Sequence, residues 1–219
     1  MIYASCRLIQ KALDTLPKEN VAQIVAAFEG KVVTCIHNHN GNHVIQMAIT
    51  ILSKHAKQAQ EKAENEFFSL LTSSLDPIVD EVIADTEGLS CHPYGCRVIQ
   101  RLVENCTGPH KTKLLDSIIS HHTSLVDDQY GNYVIQRVLS YGRSSDKEAI
   151  FDTITGANNI FRLSKRKQAS NVVEMMIKHG NAPQRLQIIQ EMLDVSSQPL
   201  LYHVFAQNVQ AIGCFSIYV

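Results

Sequence analysis

One helix-length phrase is rewritten along this chain. It reads HNGNHVIQMAI over 39–49, PYGCRVIQRLV over 93–103 and QYGNYVIQRVL over 129–139. Self-similarity at a fixed period constrains folding strongly. A unit of this size cannot bury its own apolar face and must stack on its neighbours. Aligned on the residue that follows the small residue of each copy, five anchors emerge: Cys6, Asn42, Cys96, Asn132 and Ser170. Their spacings are 36, 54, 36 and 38 residues. The long spacing coincides with the polar stretch KHAKQAQEKAENEFFSL, 54–70, which reads as a helical insertion between units.

The letters within each copy have a physical meaning. Two and three positions after the anchor stand Leu8/Ile9, Val44/Ile45, Val98/Ile99, Val134/Ile135 and Val172/Val173. Four residues on from the second of each pair come Leu13, Ile49, Val103, Leu139 and Ile177. This is one apolar stripe at helical spacing. The residue before the anchor is small (Ser5, Gly41, Gly95, Gly131, Ala169), so the helix can begin close to a neighbour. Amphipathic stretches such as NVAQIVAAF and HKTKLLDSIIS lie between copies, giving two or three short helices per unit. An all-α solenoid is expected. It comprises a partial unit over 1–18, units over 19–53, 71–108, 109–145 and 146–195, the insertion over 54–70, and a degraded or truncated unit over 196–219.

The letters that vary lie on another face. The anchor and the residue four after it are one turn apart on the same side, with the next residue beside them. The triplets are Cys6/Arg7/Gln10, Asn42/His43/Gln46, Cys96/Arg97/Gln100, Asn132/Tyr133/Gln136 and Ser170/Asn171/Glu174. Stacked units turn them into a ladder. Uracil offers two carbonyl acceptors and an N–H donor, which Asn plus Gln can answer. Adenine's N6 donor and N1 acceptor match one Gln, leaving room for a small Cys. Guanine's two donors suit a carboxylate, as in Glu174. Planar middle residues can stack between bases. Each triplet alone also has a plain reading, since Asn or Ser near a helix start is often a cap and Gln is a good surface helix former. Five copies in register, with Glu only beside Ser, favour base reading.

These GNHVIQ, GCRVIQ, GNYVIQ and SNVVE motifs resemble those of PUF (Pumilio-type) RNA-binding repeats, over roughly residues 1–195. The resemblance implies a right-handed α-solenoid of three-helix repeats, each reading one base of single-stranded RNA. Typical members carry eight repeats, so about four full repeats with partial ones at both ends marks a partial or truncated member. By similarity, Asn/Gln implies uracil, Cys/Gln adenine and Ser/Glu guanine. With RNA antiparallel to the protein, the implied core is 5′-GUAUA-3′, related to UGUA elements of mRNA 3′ untranslated regions. The base-edge residues are then Cys6, Gln10, Asn42, Gln46, Cys96, Gln100, Asn132, Gln136, Ser170 and Glu174. The stacking residues are Arg7, His43, Arg97, Tyr133 and Asn171. The family's role implies mRNA repression or decay, regulatory proteins on the convex face, a cytoplasmic location and a monomer.

Composition bounds the alternatives. With 20 basic and 21 acidic side chains among 219 residues, no global field favours nucleic acid, so any such surface is local. A protein-interaction solenoid, or a diverged chain that no longer reads bases, is the alternative. Lys165–Lys167, with Arg97, Arg101 and Arg137, can line a phosphate track or be a solvated turn. No apolar run approaches about 18 residues, and no secretory leader is evident. Six cysteines without a C-x-x-C pair read as reduced thiols. Neither catalytic motifs nor cofactor loops appear, so no enzyme and no cofactor are expected. His37 and His39, two apart in HNHN, diverge on a helix and make a poor metal pair. Asp127 and Asp128 read as turn or helix-start residues, and His121–His122 as a loop or first-turn feature.

Overall fold

The computed structural model describes residues 2–156 and 159–194. The expectation for 196–219 falls outside them. Fifteen helices occur among the described residues and no strands. The longer helices that carry the anchors are α1 (Ile2–Thr15), α4 (Gly41–Glu61), α8 (Gly95–Asn105), α11 (Gly131–Tyr141) and α14 (Ala169–His179). They pack side by side in that order to form one layer. A second layer holds α2 (Lys18–Ala26), α6 (Asp76–Ala84), α9 (Gly108–Ser120) and α12 (Ser144–Ile154), with α6, α9 and α12 packed in sequence. Between the layers, α3 (Val32–His37), α7 (Thr86–Ser90), α10 (His122–Leu125) and α13 (Asn159–Ser164) each pack against the anchor helix that follows. Each unit is thus an outer helix, a short helix and an inner helix. α15 (Ala182–Asp194) packs on α13 and α14 as a further outer helix.

The apolar stripe supplies the core. Val44, Ile45, Ile49, Val98, Ile99, Val103, Val134, Ile135, Leu139, Val172 and Val173 are all buried. Each such side chain contributes about 1.5–3 kcal/mol by leaving water. Leu8 departs from the pattern and is 72% exposed. The matching valines are covered by the short helix ahead of them, and α1 has no short helix ahead of it among the described residues. Ile177 is half-buried for the reciprocal reason: no inner helix beyond α14 lies among the described residues.

The glycine before three of the anchors, at 41, 95 and 131, has a strict geometric cause. A Cβ on Gly95 would lie 2.4 Å from the Leu89 carbonyl oxygen, and one on Gly41 would lie 2.6 Å from that of Cys35. On Gly131 it would meet the Leu125 side chain at 2.9 Å. Leu89, Leu125 and Cys35 occupy the same place, seven residues before the anchor, within or at the end of the short helix. The inner helix therefore begins in contact with the backbone of the short helix.

The units are also tied end to end. Glu81 on α6 reaches back to the turn before α3, where its carboxylate accepts from the N–H of Gly30 (2.7 Å) and Val32 (3.0 Å). Glu191 on α15 does the same before α13, accepting from Gly156 (2.8 Å) and Ile160 (3.0 Å). Between them, Ser117 on α9 bonds Thr86 at the start of α7, and Thr153 on α12 bonds His122 at the start of α10, each at 2.8 Å. In each case an outer-layer side chain holds the start of the preceding short helix, Glu81 and Glu191 by accepting N–H groups that have no partner within that helix, Ser117 and Thr153 through a side chain.

The extra residues between the second and third anchors take a definite form. α4 runs on to 21 residues where α8, α11 and α14 have 11. It then turns back into α5 (Asn65–Ser73), which packs along it. The turn is a Schellman motif: Glu64 N–H donates to Ala59 and Ala63 N–H to Gln60, with Ala63 at φ 57°. A left-handed alanine costs about 1 kcal/mol, so this hairpin is held against local strain. Buried Leu52, Ala56, Ala59 and Leu71 contribute the opposing apolar contact.

The glycine contact makes a direct prediction. Gly95→Ala should lower unfolding free energy by about 1–3 kcal/mol through overpacking against a carbonyl that cannot rotate away. Urea denaturation of both proteins measures this, and equal midpoints would contradict the contact.

Candidate nucleic-acid interface

The inner helices present the same sequence of exposures. In α4, α8 and α11 the residues run buried glycine, buried anchor, exposed middle residue, two buried apolar residues, then a half-buried glutamine. The exposed set is His43, Arg97 and Tyr133, with Arg7 likewise exposed on α1. The half-buried set is Gln46, Gln100 and Gln136, with Gln10. Adjacent packing of the helices places these residues in a continuous row. In α14 the pattern shifts: Asn171 is half-buried and Glu174 is exposed.

The anchors lie deeper than a simple ladder of exposed groups implies. Asn42 and Asn132 are fully buried. Asn132 Nδ2 donates to the carbonyls of Asp128 (2.8 Å) and Gln129 (3.0 Å), and its Oδ1 accepts from Gln136 Nε2 (2.8 Å). Asn42 repeats the arrangement with Asn38 (3.0 Å), His39 (2.6 Å) and Gln46 Nε2 (2.9 Å). Each asparagine is thus both a helix-start fastener and the support of the glutamine above it. The glutamine, half-buried, keeps its Oε1 and one Nε2–H without a hydrogen-bond partner among the described residues.

The other anchors cannot do this. Cys96 is buried, its Sγ 3.6 Å from the Pro93 carbonyl, and burial pushes its thiol up to about 11, so it stays protonated and small. Gln100 above it makes no side-chain hydrogen bond among the described residues. Ser170 Oγ donates to Lys167 O (3.2 Å), and Glu174 has no ion-pair or hydrogen-bond partner among the described residues. A free, exposed carboxylate is an acceptor for two convergent donors.

Two hollows open on this row. One, of about 370 Å³, lies between α1 and α4 and is lined by Cys6, Arg7, Gln10, His39, Asn40, His43 and Met47. A second, of about 380 Å³, is lined by Asp14, Gln46, Met47, Thr50, Ile51 and Arg101. Met47 joins them. The first brings together an anchor, a glutamine and two planar side chains from neighbouring helices, the equipment for holding a flat heterocycle.

The basic residues are less free than their sequence positions imply. Arg101 and Arg137 share Glu104 at 2.9 and 3.0 Å, and Arg137 also lies over the Tyr141 ring. Arg166 pairs with Asp127, and Lys165 stands 3.7 Å over the Phe161 ring. His37 ends α3 and His39 lies in the turn after it, so the two are not on one helix as their spacing suggests. His37 meets His92, and His39 Nδ1 is 3.0 Å from the Tyr94 hydroxyl. No group of three or more His, Cys, Asp or Glu among the described residues is arranged to hold a metal ion. Among those residues no helix is long and apolar enough to cross a membrane.

Comparison with known proteins gives the row a context. The model of the Pumilio-family RNA binding repeat matches residues 5–27, 88–119, 128–155 and 159–193, more than half of the chain. The unmatched interval, 28–87, contains the lengthened α4 and α5. A Pumilio domain-containing protein of Schizosaccharomyces pombe is 31% identical over 205 residues, covering 93% of this chain and 27% of that protein. Suppressor protein MPT5 of Saccharomyces cerevisiae is 31% identical over 186 residues, covering 78% of this chain and 19% of that protein. The chain therefore spans about a quarter or less of the length of these relatives. Among solved structures, PUF-8 in complex with PBE-RNA superposes with a TM-score of 0.72 at 28% identity, covering 86% of this chain and 50% of that one. The Puf3 RNA binding domain bound to a Cox17 RNA 3′ UTR site gives 0.69 at 36% identity, covering 84% and 50%.

The two layers of the interface respond differently to truncation. Asn132→Ala should cost roughly 2–3 kcal/mol of stability, because it unpairs buried carbonyls and leaves a cavity. Gln136→Ala should stay within about 1 kcal/mol. Thermal and chemical denaturation measure both. Equal losses would mean that the asparagine is not the fastener described here.

Proposed function

This chain belongs to the Pumilio family of RNA-binding repeat proteins, and from that premise we propose that it binds single-stranded RNA along the inner-helix row, one base per unit. The observation that carries the reading is the common register of exposure: planar middle residues outward, glutamines half-exposed beside them, repeated on adjacent helices. The hollow bounded by Arg7, Gln10 and His43 supports it. The protein is on this reading a binding scaffold and not an enzyme.

The bases follow from the donors each unit offers. Ser170 and Glu174, with an unengaged carboxylate, suit guanine. Asn132/Tyr133/Gln136 and Asn42/His43/Gln46 suit uracil, with the glutamine amide oriented by the asparagine. Cys96/Arg97/Gln100 and Cys6/Arg7/Gln10 suit adenine, whose ring fits over a small thiol. Read antiparallel, the order is 5′-GUAUA-3′. The bound RNA would be an mRNA element, and the consequence post-transcriptional repression or altered mRNA stability in the cytoplasm. The outer layer would be left for regulatory proteins.

A second reading has one specific observation in its favour. Arg101, Arg137 and Arg166 are held by Glu104 and Asp127, so the local cationic track is thin. A protein-interaction solenoid needs no such track.

Fluorescence anisotropy separates the two. A labelled RNA bearing GUAUA should bind more tightly than a scrambled RNA of equal length, and equal binding at low salt would leave only the second reading. A finer substitution tests the guanine assignment. Glu174→Gln replaces two acceptors by one acceptor and one donor, and should move the preference at the 5′ base from G toward A by about tenfold or more. An unchanged preference there would remove that assignment.

A further inference from the structure

Three inner helices, α4, α8 and α11, begin with the same fastening, built from different residues. Four positions before the anchor, one side-chain atom accepts the two N–H groups that precede the anchor. In the second unit Asn38 Oδ1 accepts from Asn40 (3.0 Å) and Gly41 (2.9 Å). In the fourth Asp128 Oδ1 accepts from Tyr130 (2.8 Å) and Gly131 (2.7 Å). In the third the acceptor is His92 Nδ1, with Tyr94 at 3.2 Å and Gly95 at 3.1 Å.

The histidine differs from the other two in one respect. An imidazole Nδ1 accepts only while it carries no proton. Protonated, it offers a donor to two donors and places a cation at a helix N-terminus, where the backbone dipole favours negative charge. We propose that His92 is a positioning residue for base reading by α8, and that its protonation releases the start of that helix, carrying Cys96 and Arg97 away from their reading geometry. The proposal rests on the RNA reading above for its binding consequence, but the cap itself does not.

The surroundings of His92 oppose its protonation. The His37 ring, at the end of α3, lies 4.5 Å away, centroid to centroid. Tyr94 lies 5.5 Å away in the same loop, and links through its hydroxyl to His39. Cys91, next in sequence, is itself pushed up to about 11 by burial and by Asp128, with Glu87 of α7 adding to the effect. Those two carboxylates thus bear on a protonated thiol beside the ring. Burial, and then the nearby His37, hold the His92 pKa below the ordinary histidine value of 6.5. Because the folded value is depressed, the stabilisation is complete above about 6.5 and is lost as the pH falls from there through the folded value.

The test uses the whole chain at pH 7.5 and 5.5, as wild type and as His92→Asn, which restores the acceptor that the second unit uses. Without RNA, the wild-type melting temperature should fall by about 2–4 °C, and His92→Asn should remove at least half of that fall. With the labelled GUAUA RNA, wild-type affinity should fall severalfold, by less than about tenfold because a His92 pKa held below 6.5 leaves part of the protein unprotonated at pH 5.5, and the variant's by clearly less. His37→Gln, which relieves the neighbouring ring, should move the wild-type transition to higher pH. The full pH dependence persisting in His92→Asn, or a transition unmoved by His37→Gln, overturns the proposal. Melting behaviour as expected with no RNA bound at either pH would overturn the RNA reading and leave the cap standing.

Discussion

The fold depends on a contact between backbones. At the start of α4, α8 and α11 the chain passes so close to the short helix before it that a methyl group at positions 41 or 95 would strike a carbonyl oxygen. That approach fixes how each inner helix leaves its unit. With the departure fixed, residues two and three after the anchor fall against the short helix, and the residue seven after it points toward the core. The remaining surface of the same helix turns outward. One tight contact thereby assigns the inside and outside of these three inner helices. It explains why buried and exposed letters keep the same order in units whose outer helices share little sequence.

Stacking then turns a local assignment into a surface. The outer-layer side chains that reach back to the preceding short helix use unlike chemistry: a carboxylate at 81 and 191, hydroxyls at 117 and 153. What they share is position, and position is set by the buried apolar residues around them. The lengthened α4 shows how far this tolerance extends. Its extra turns run beyond the unit and fold back as α5, leaving the first turn and the packing of α1, α4 and α8 in order. The period was interrupted in sequence, but the row is continuous in space.

Much of this was legible in the sequence because a helical stripe depends on local spacing alone. Val98, Ile99 and Val103 read as core, and they are core. Leu8 read as part of the same stripe and is exposed, because its burial depends on what lies beside α1 and not on its own helix. The fastening by Asn38, His92 and Asp128 was hidden for another reason: an amide, an imidazole and a carboxylate accept the same pair of N–H groups, so no single letter repeats. Reading Asp128 as a helix-start residue captured one case without its counterparts. The dual engagement of Asn42 and Asn132 was half visible. Both the capping and the base-facing interpretations describe the same row of residues, and the structure adds that the asparagine's own amide hydrogens are consumed by backbone.

Charge is where sequence position misleads most. Arg101 and Arg137 sit on successive inner helices at equivalent places, and a list of basic residues presents them as two cations available to phosphate. Glu104, three residues after Arg101, stands between the helices and accepts from both. The Arg101 pair follows from local i,i+3 spacing, but only the lateral packing of α8 on α11 brings Arg137 to the same carboxylate, and no local pattern reveals that. With Arg101, Arg137 and Arg166 already paired, the groove gains less from counterion release, the term that dominates non-specific association with nucleic acid. For RNA bound as proposed, a larger share of the affinity must then come from stacking and base-edge hydrogen bonds. Those contacts depend on sub-ångström placement of side chains. A buried amide that holds a glutamine, and a cap that holds a helix start, are therefore as much part of recognition as the atoms that touch a base.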